Sequence, residues 1–217
     1  MDEFVIEGDE LKKYTGNGGR VVVPEGIKVI GEDAFSDSSV TEVILPYGLE
    51  RIGSRAFCDC CALTGIVIPS TVKNIEKRAF AFCSSLEQAE ITGDCGVLES
   101  GVFLCCKKLK AVQLPDGLLS IGDGAFANCE ALEFVYLPDS LVYISESAFD
   151  SCKSLSELDI PAGVTRLSGR LFVANSVCRR ITSVSSPLTV TFTIRAVIHL
   201  SATLVEKQTM SFTFRIT

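Results

Sequence analysis

The sequence predicts a solenoid of about seven stacked, strand-rich repeats rather than a conventional globular core, because three residue columns recur at one interval. The phenylalanine column has intervals of 22 or 23 residues and comprises Phe35, Phe57, Phe80, Phe103, Phe126, Phe149 and Phe172. The proline column comprises Pro24, Pro46, Pro69, Pro115, Pro138 and Pro161, with Thr92 in the one missing position. The cysteine column comprises Cys60, Cys83, Cys106, Cys129 and Cys152.

The segment before each proline is predicted to be a β-strand with one buried face. Apolar residues stand two positions apart there, as at Val135 and Leu137, which is the spacing of side chains on one face of a strand. The second of these two apolar positions, which we call the second inward column, comprises Leu45, Ile68, Ile91, Leu114, Leu137 and Ile160. After each proline comes a shorter apolar pair, such as Leu118 and Ile121. Such a pair is compatible with either a brief strand or a single turn.

The two ends of the chain differ from the repeats. Residues 1–23 contain two turn signals between short apolar segments, and we expect them to form an N-terminal β cap on a solenoid of residues 24–187. In residues 188–217, apolar residues alternate with polar ones on both sides of Glu206. We expect this segment to form two strands, either as a C-terminal cap or as an edge that pairs with another copy.

With these columns, the chain resembles the BspA-like leucine-rich repeat family, whose unit looks like C-x-x-L-x-x-I-x-I-P-x-x-V-x-x-I-G-x-x-A-F-x-x. The resemblance covers residues 21–187 and departs from the pattern at Thr92, at Cys95 and after Phe172. It implies a leucine-rich repeat solenoid of the α/β horseshoe class, right-handed and strand-rich with little helix, with a parallel sheet on its concave side. It also implies a bacterial protein at the cell surface or secreted, with a binding or adhesion role.

The charge of the chain is unevenly distributed. Residues 1–161 carry 13 Lys and Arg against 26 Asp and Glu, whereas residues 162–217 carry 7 against 1. The formal net charge of −7 argues against a nucleic-acid partner, which needs a concentrated basic surface. No apolar run approaches the roughly 18 residues that span a bilayer, and no signal peptide is visible, so we expect no membrane insertion. If the chain is complete as given, a cytoplasmic location is expected instead of the cell surface.

The cysteine column is predicted to be a ladder of buried thiols that satisfy backbone groups, because Ser38 and Asn175 occupy the same column in other turns. Three alternatives stay open. Neighbouring rungs about 4.8 Å apart are compatible with disulfides. Cys58 and Cys61 form a C-x-x-C that a redox site would use, and together with Cys60 they offer ligands for a metal. The ladder is favoured, and we expect neither a cofactor nor a metal.

No motif in the sequence predicts an enzyme. The only histidine, His199, lies on a predicted strand of the C-terminal tail, so a catalytic triad would depend on the least regular part of the chain. The glycine-rich run Gly16–Gly19 lacks the lysine and the helix of a phosphate-binding loop and is better explained as a turn. We therefore expect function to depend on a surface.

The concave face offers the candidate binding residues. Phe134 and Tyr136 are two aromatic residues on one strand at positions that should be exposed, which is typical of interface hot spots. Glu157 and Asp159 should lie beside them, and Glu90 and Gln113 further along the same face. We expect a non-enzymatic module that binds a protein or a glycan. The alternative is a structural spacer that self-associates through residues 188–217.

Overall fold

The computed structural model describes residues 3–167, 180–182, 191–194 and 210–213. Its strands, in chain order, are β1 (Phe4–Glu7), β2 (Glu10–Tyr14), β3 (Gly19–Val22), β4 (Val29–Ile30), β5 (Val40–Ile44), β6 (Arg51–Ile52), β7 (Gly65–Ile68), β8 (Asn74–Ile75), β9 (Gln88–Ile91), β10 (Val97–Leu98), β11 (Ala111–Gln113), β12 (Ser120–Ile121), β13 (Phe134–Val135), β14 (Tyr143–Ile144), β15 (Glu157–Asp159), β16 (Arg166–Leu167), β17 (Arg180–Thr182), β18 (Thr191–Ile194) and β19 (Met210–Thr213). The described part of the chain contains no helix, so it contains none that could span a bilayer.

Two largely parallel sheets run along the solenoid, and most turns contribute one strand to each of them. Sheet 1 has nine strands in the order β1-β2-β4-β6-β8-β10-β12-β14-β16, and only its first pair is antiparallel. Sheet 2 has six strands in the order β13-β11-β9-β7-β5-β3. Strands β15 and β17 form a further parallel pair in which Glu157 stands opposite Arg180. The predicted strand-rich solenoid is therefore confirmed.

The segment after each proline forms a strand of sheet 1. The sequence was compatible with either a brief strand or a single turn there. Two-residue strands form there, and the register of β12 against β14 pairs Ser120 with Tyr143 and Ile121 with Ile144. The register follows the repeat length, because each residue pairs with the residue 23 positions later. Among the second inward column, Leu45 is only partly buried, whereas the other members are buried.

A stack of aromatic rings forms the centre of the core. The six described phenylalanines of the column are each fully buried, and neighbouring rings are stacked with centroids 4.8–5.6 Å apart. Tyr14 of the N-terminal hairpin continues this stack, with its ring 5.0 Å from that of Phe35. Phe172, the seventh member, lies outside the described residues. The hairpin thus extends the core by one ring, which the sequence columns did not predict.

The turn around each Ala-Phe pair requires two residues with positive φ. One precedes the alanine and the other follows the phenylalanine by two positions. The first set comprises Asp33, Arg55, Arg78, Gly101, Gly124 and Ser147, and the second comprises Asp37, Asp59, Phe82, Cys105, Asn128 and Ser151. Most of these residues are not glycine, so the stacked geometry holds them in a region that costs L-residues energy.

The cysteine column forms the predicted ladder of buried thiols. Each Sγ donates a hydrogen bond to the carbonyl oxygen of the phenylalanine one turn earlier, as in Cys106 to Phe80 at 3.1 Å. The others are Cys60 to Phe35, Cys83 to Phe57, Cys129 to Phe103 and Cys152 to Phe126. Cys58 and Cys61 of the C-x-x-C are free thiols, and so are Cys60, Cys83, Cys95, Cys105, Cys106 and Cys129. The thiols therefore satisfy carbonyl groups between turns.

Candidate binding surface

The candidate surface is the outer face of sheet 2 together with strand β15, which continues it by one turn. Side chains alternate along each strand, so that Val135 and Leu137 are buried in the core while Phe134 and Tyr136 point away from it. Pairing with β11 fixes this segment, because Ala111 stands opposite Phe134 and Val112 opposite Val135. Phe134 therefore lies on β13 and Tyr136 follows directly after it, in a segment whose alternate residues belong to the core.

A recess near one end of this surface brings four of the six candidate residues together. We call it the aromatic-acidic recess; its volume is about 300 Å³, and its lining residues are Phe134, Val135, Tyr136, Leu137, Asp139, Glu157, Asp159, Ile160 and Pro161. The side chain of Phe134 is 63% exposed and that of Tyr136 is 70% exposed. Among the described residues, the charged groups that line the recess are all carboxylates.

Asp139 also lines this recess, although its sequence position did not predict a binding role. It follows Pro138 at the end of the strand segment, in a position where an acidic residue is ordinarily a solvated turn residue. Only the folding of the next turn brings Glu157 and Asp159 to the same recess. The signal in the sequence that could have placed Asp139 was the repeat spacing, since it lies one turn after Asp116.

The remaining two candidates, Glu90 and Gln113, lie in a separate groove over strands β5 to β11. Its volume is about 620 Å³, and small or aliphatic residues such as Gly65, Val67 and Ala111 line much of it. Val67 is 58% exposed and lies on this outer face. The sequence predicted small residues on this face but not a groove, because its depth depends on how successive turns stack.

The recess can contact a partner in several ways. Exposed aromatic rings beside carboxylates can hold a partner by stacking, by cation–π contact and by hydrogen bonds. The described residues contain no group of three or more His, Cys, Asp or Glu side chains placed to hold a metal ion. His199, the residue on which a catalytic triad would depend, lies outside the described residues.

Burial makes the ladder thiols poor nucleophiles. It is the main cause that raises the pKa of Cys106 and Cys129, whereas for Cys60 the largest cause is the hydrogen bond with Cys83, followed by burial. The pKa of Cys58, which begins the C-x-x-C, is raised to about 12 by burial and by the neighbouring Asp59. A catalytic cysteine needs the opposite shift, toward the thiolate.

Solved structures of bacterial leucine-rich repeat proteins are similar to this chain. A leucine-rich cell surface protein from Faecalibacterium prausnitzii is 31% identical, with a TM-score of 0.69, over 89% of this chain and 56% of that protein. A leucine-rich repeat protein from Eubacterium ventriosum shares the fold with a TM-score of 0.74 at 22% identity, over 83% of this chain and 49% of that one. The chain therefore spans about half the length of these two proteins.

The leucine-rich repeat protein of T. pallidum is 26% identical, with a TM-score of 0.55, over 82% of this chain and 76% of that protein. A search of curated proteins finds no match. The family model described as the BspA type leucine-rich repeat region, in six copies, matches residues 13–133 and 96–193. These matches cover most of the chain, which therefore belongs to the BspA-type leucine-rich repeat family.

Proposed function

We propose that the chain is a non-enzymatic binding or adhesion module that presents the outer face of sheet 2 to a protein or glycan partner. The observation that carries this proposal is the pair of exposed rings, Phe134 and Tyr136, in one recess of a repetitive scaffold. Large aromatic side chains at the surface are enriched in binding hot spots. A partner that covers such exposed rings removes their apolar surface from water, which favours binding.

A cell-surface location is part of this proposal. The similar Faecalibacterium prausnitzii protein is described as a cell surface protein. Surface proteins that bind partners need an exposed, pre-formed face, and sheet 2 offers one whose strands are fixed by pairing on both sides along most of its length. An adhesion role would place this face toward molecules outside the cell.

Site-specific photo-crosslinking tests the proposal. The cross-linking amino acid p-benzoylphenylalanine replaces Val67 on sheet 2 in one variant and Tyr143 on sheet 1 in another, since both side chains are exposed. We expect a partner adduct at Val67 that excess unlabelled wild-type chain suppresses, and none at Tyr143. Equal adducts at both positions, or adducts that the wild-type chain does not suppress, would contradict a specific binding face.

The second candidate function is a structural spacer that self-associates through residues 188–217. Strands β18 and β19 pair only with each other among the described strands, with Phe192 opposite Phe212. The free sides of such a hairpin can add a strand from another copy. Light scattering on the full chain and on residues 1–187 distinguishes the two cases, because a monomer in both preparations rules out this candidate.

A further inference from the structure

We propose that the aromatic-acidic recess binds a cationic side chain, a lysine or an arginine, from a basic segment of a protein partner. The inference rests on the proposed function, since it names the chemistry of the partner at the same face. It follows from three features of the recess: its aromatic walls, the sign of its charge and its size.

The aromatic walls suit a cation. Phe134 and Tyr136 are two residues apart, on either side of the buried Val135, and both line the recess. The negative faces of aromatic rings attract Lys and Arg side chains that come within about 6 Å of a ring centroid. With exposures of 63% and 70%, both rings have surface available for such a contact.

The charge of the recess selects the sign of the ligand. Asp139 and Asp159 line it from different turns and are both exposed. Glu157 also lines it, but the inference rests on the two aspartates. A carboxylate near the surface attracts a cation at short range and repels an acidic ligand. A neutral glycan could stack on the rings but would gain no Coulomb energy from the carboxylates.

The size of the recess limits what enters it. A volume of about 300 Å³ lies at the lower end of ligand pockets, which suits one or two side chains rather than a folded element. The rest of the partner would then lie along the outer face of sheet 2. The groove beside Val67 and Ala111 offers that continuation, with a largely apolar lining whose charged residues are Glu42 and Glu90.

A pair of synthetic peptides tests this inference. One is Gly-Ser-Lys-Arg-Lys-Ser-Gly with blocked ends, and the other has glutamine at the three basic positions. Calorimetry or NMR titration measures the dissociation constant in about 50 mM and about 300 mM salt. We expect the wild-type chain to bind the basic peptide about tenfold more tightly than the glutamine peptide, with weaker binding at the higher salt concentration.

Matched variants locate the effect. We expect Phe134→Ala with Tyr136→Ala to weaken basic-peptide binding about tenfold. We expect Asp139→Asn, alone and combined with Asp159→Asn, to weaken it and reduce its salt dependence. Asp116→Asn is the charge control because it occupies the position of Asp139 one turn earlier. Tyr47→Ala is the aromatic control because this residue is 77% exposed and lines neither the aromatic-acidic recess nor the groove over strands β5 to β11. Both controls should leave the binding unchanged.

Three results would overturn the inference: equal affinity for both peptides, no loss in the aromatic variant, or an equal loss in Asp116→Asn and Asp139→Asn. The last result would mean that the acidic surface attracts the peptide without a specific recess. If a glycan bound at Phe134 and Tyr136 while the basic peptide did not, the inference would fail and the proposed function would stand. If neither the peptide nor a cross-linked partner engaged sheet 2, both would fail.

Discussion

Residues with positive φ are the most strained positions of each turn, and their identities vary between repeats. Cys105 has a φ of 61° and stands in the same column as Asn128, whose φ is 60°. Asparagine tolerates the left-handed region better than other non-glycine residues, because its short polar side chain bonds locally. The column therefore offers a test of whether the turns impose this conformation.

We predict that Cys105→Asn raises the free energy of unfolding by about 0.5–1 kcal/mol, because it relieves backbone strain at a partly buried position. Cys105→Val is the matched control and should lower it by about 1 kcal/mol, since β-branched residues are outliers at positive φ. Urea unfolding at about pH 7 measures both. Equal stabilities of the two variants would contradict a strained turn.

The ladder thiols make stability depend on alkaline pH. Folding raises the pKa of Cys83, Cys106 and Cys129, so the unfolded chain loses these protons first as the pH rises. Their contribution to the free energy of unfolding is fully present below about pH 9, the pKa of a cysteine thiol in the unfolded chain. It is lost progressively as the pH rises above that value. We predict that the free energy of unfolding falls above about pH 9, by about 1.4 kcal/mol per pH unit for each such thiol.

Cys106→Ser isolates one thiol, because serine occupies this column at Ser38 and does not titrate. We expect the variant to retain most of its stability at about pH 7, since its hydroxyl can donate to the carbonyl of Phe80. Its stability should fall less steeply above about pH 9 than that of the wild-type chain. An identical pH dependence would show that this thiol is not buried in its neutral form.

At the residue scale, the sequence predicted which side chains leave the core but not which of them meet. Alternation along the strand was sufficient to place Phe134 and Tyr136 on the outside, and the structure gives them that exposure. Asp139 could not be selected, because its role in the recess depends on the path of the chain after Pro138. Whether these residues bind a partner stays a prediction.

The phenylalanine stack is the element that holds successive turns together. The sequence columns favour a smaller loss at Phe35 than at central positions, because a terminal repeat has one neighbour. The structure changes this expectation, since Phe35 lies between the rings of Tyr14 and Phe57. The N-terminal hairpin thereby gives the first repeat the surroundings of an internal one.

We predict that Phe103→Ala and Phe35→Ala each lower the free energy of unfolding by about 3–5 kcal/mol, because each leaves a cavity between two stacked rings. Phe134→Ala is the matched control on the exposed face and should change it by no more than about 0.5 kcal/mol. Chemical denaturation measures all three. A loss at Phe35 below half of that at Phe103 would contradict the role of Tyr14 in the stack.

Ion pairs also link neighbouring turns, but they contribute less than the core. Lys110 lies 2.7 Å from Glu87, and Lys153 lies 2.8 Å from Glu130, each across one turn. These contacts lower the pKa of Glu87 and Glu130, yet all four side chains are exposed, so solvent screens the pairs. They favour the register of adjacent turns rather than the stability of the array.

Sheet 1 shows why one element could not be predicted. A strand of two residues, such as Ser120–Ile121, is too short to show alternation, so the apolar pair was compatible with a turn. Repetition makes these strands possible, because each one finds the equivalent strand of the next turn in register. The longer strands of sheet 2 carry their own alternation and were predicted directly.

At the scale of the whole molecule, repetition explains both what the sequence predicted and what it did not. The solenoid followed from residue columns, because a repeating unit must bury its apolar face against its neighbours. The groove beside Val67 and the recess beside Phe134 did not follow, because their volumes depend on how far each turn is displaced from the previous one. The scaffold is periodic, whereas the candidate site consists of exceptions to the period.

The repeats carry most of the acidic residues of the chain, which gives them a net negative charge. Residues 1–161 have a net charge of −13, from 13 basic and 26 acidic residues. A partner with basic segments would be attracted to the repeats before any specific contact forms. Raising the salt concentration should therefore slow association at sheet 2, whereas removing the exposed rings should speed dissociation.

If the recess around Phe134 and Tyr136 binds the partner, the dissociation constant of the complex must depend on these two rings. The partner identified by cross-linking at Val67 is titrated with the wild-type chain and with the Phe134→Ala, Tyr136→Ala variant, after equal melting temperatures have shown that the fold is intact. We predict at least about tenfold weaker binding by the variant, because large exposed aromatic rings that a partner covers act as hot spots. An unchanged dissociation constant would contradict the claim.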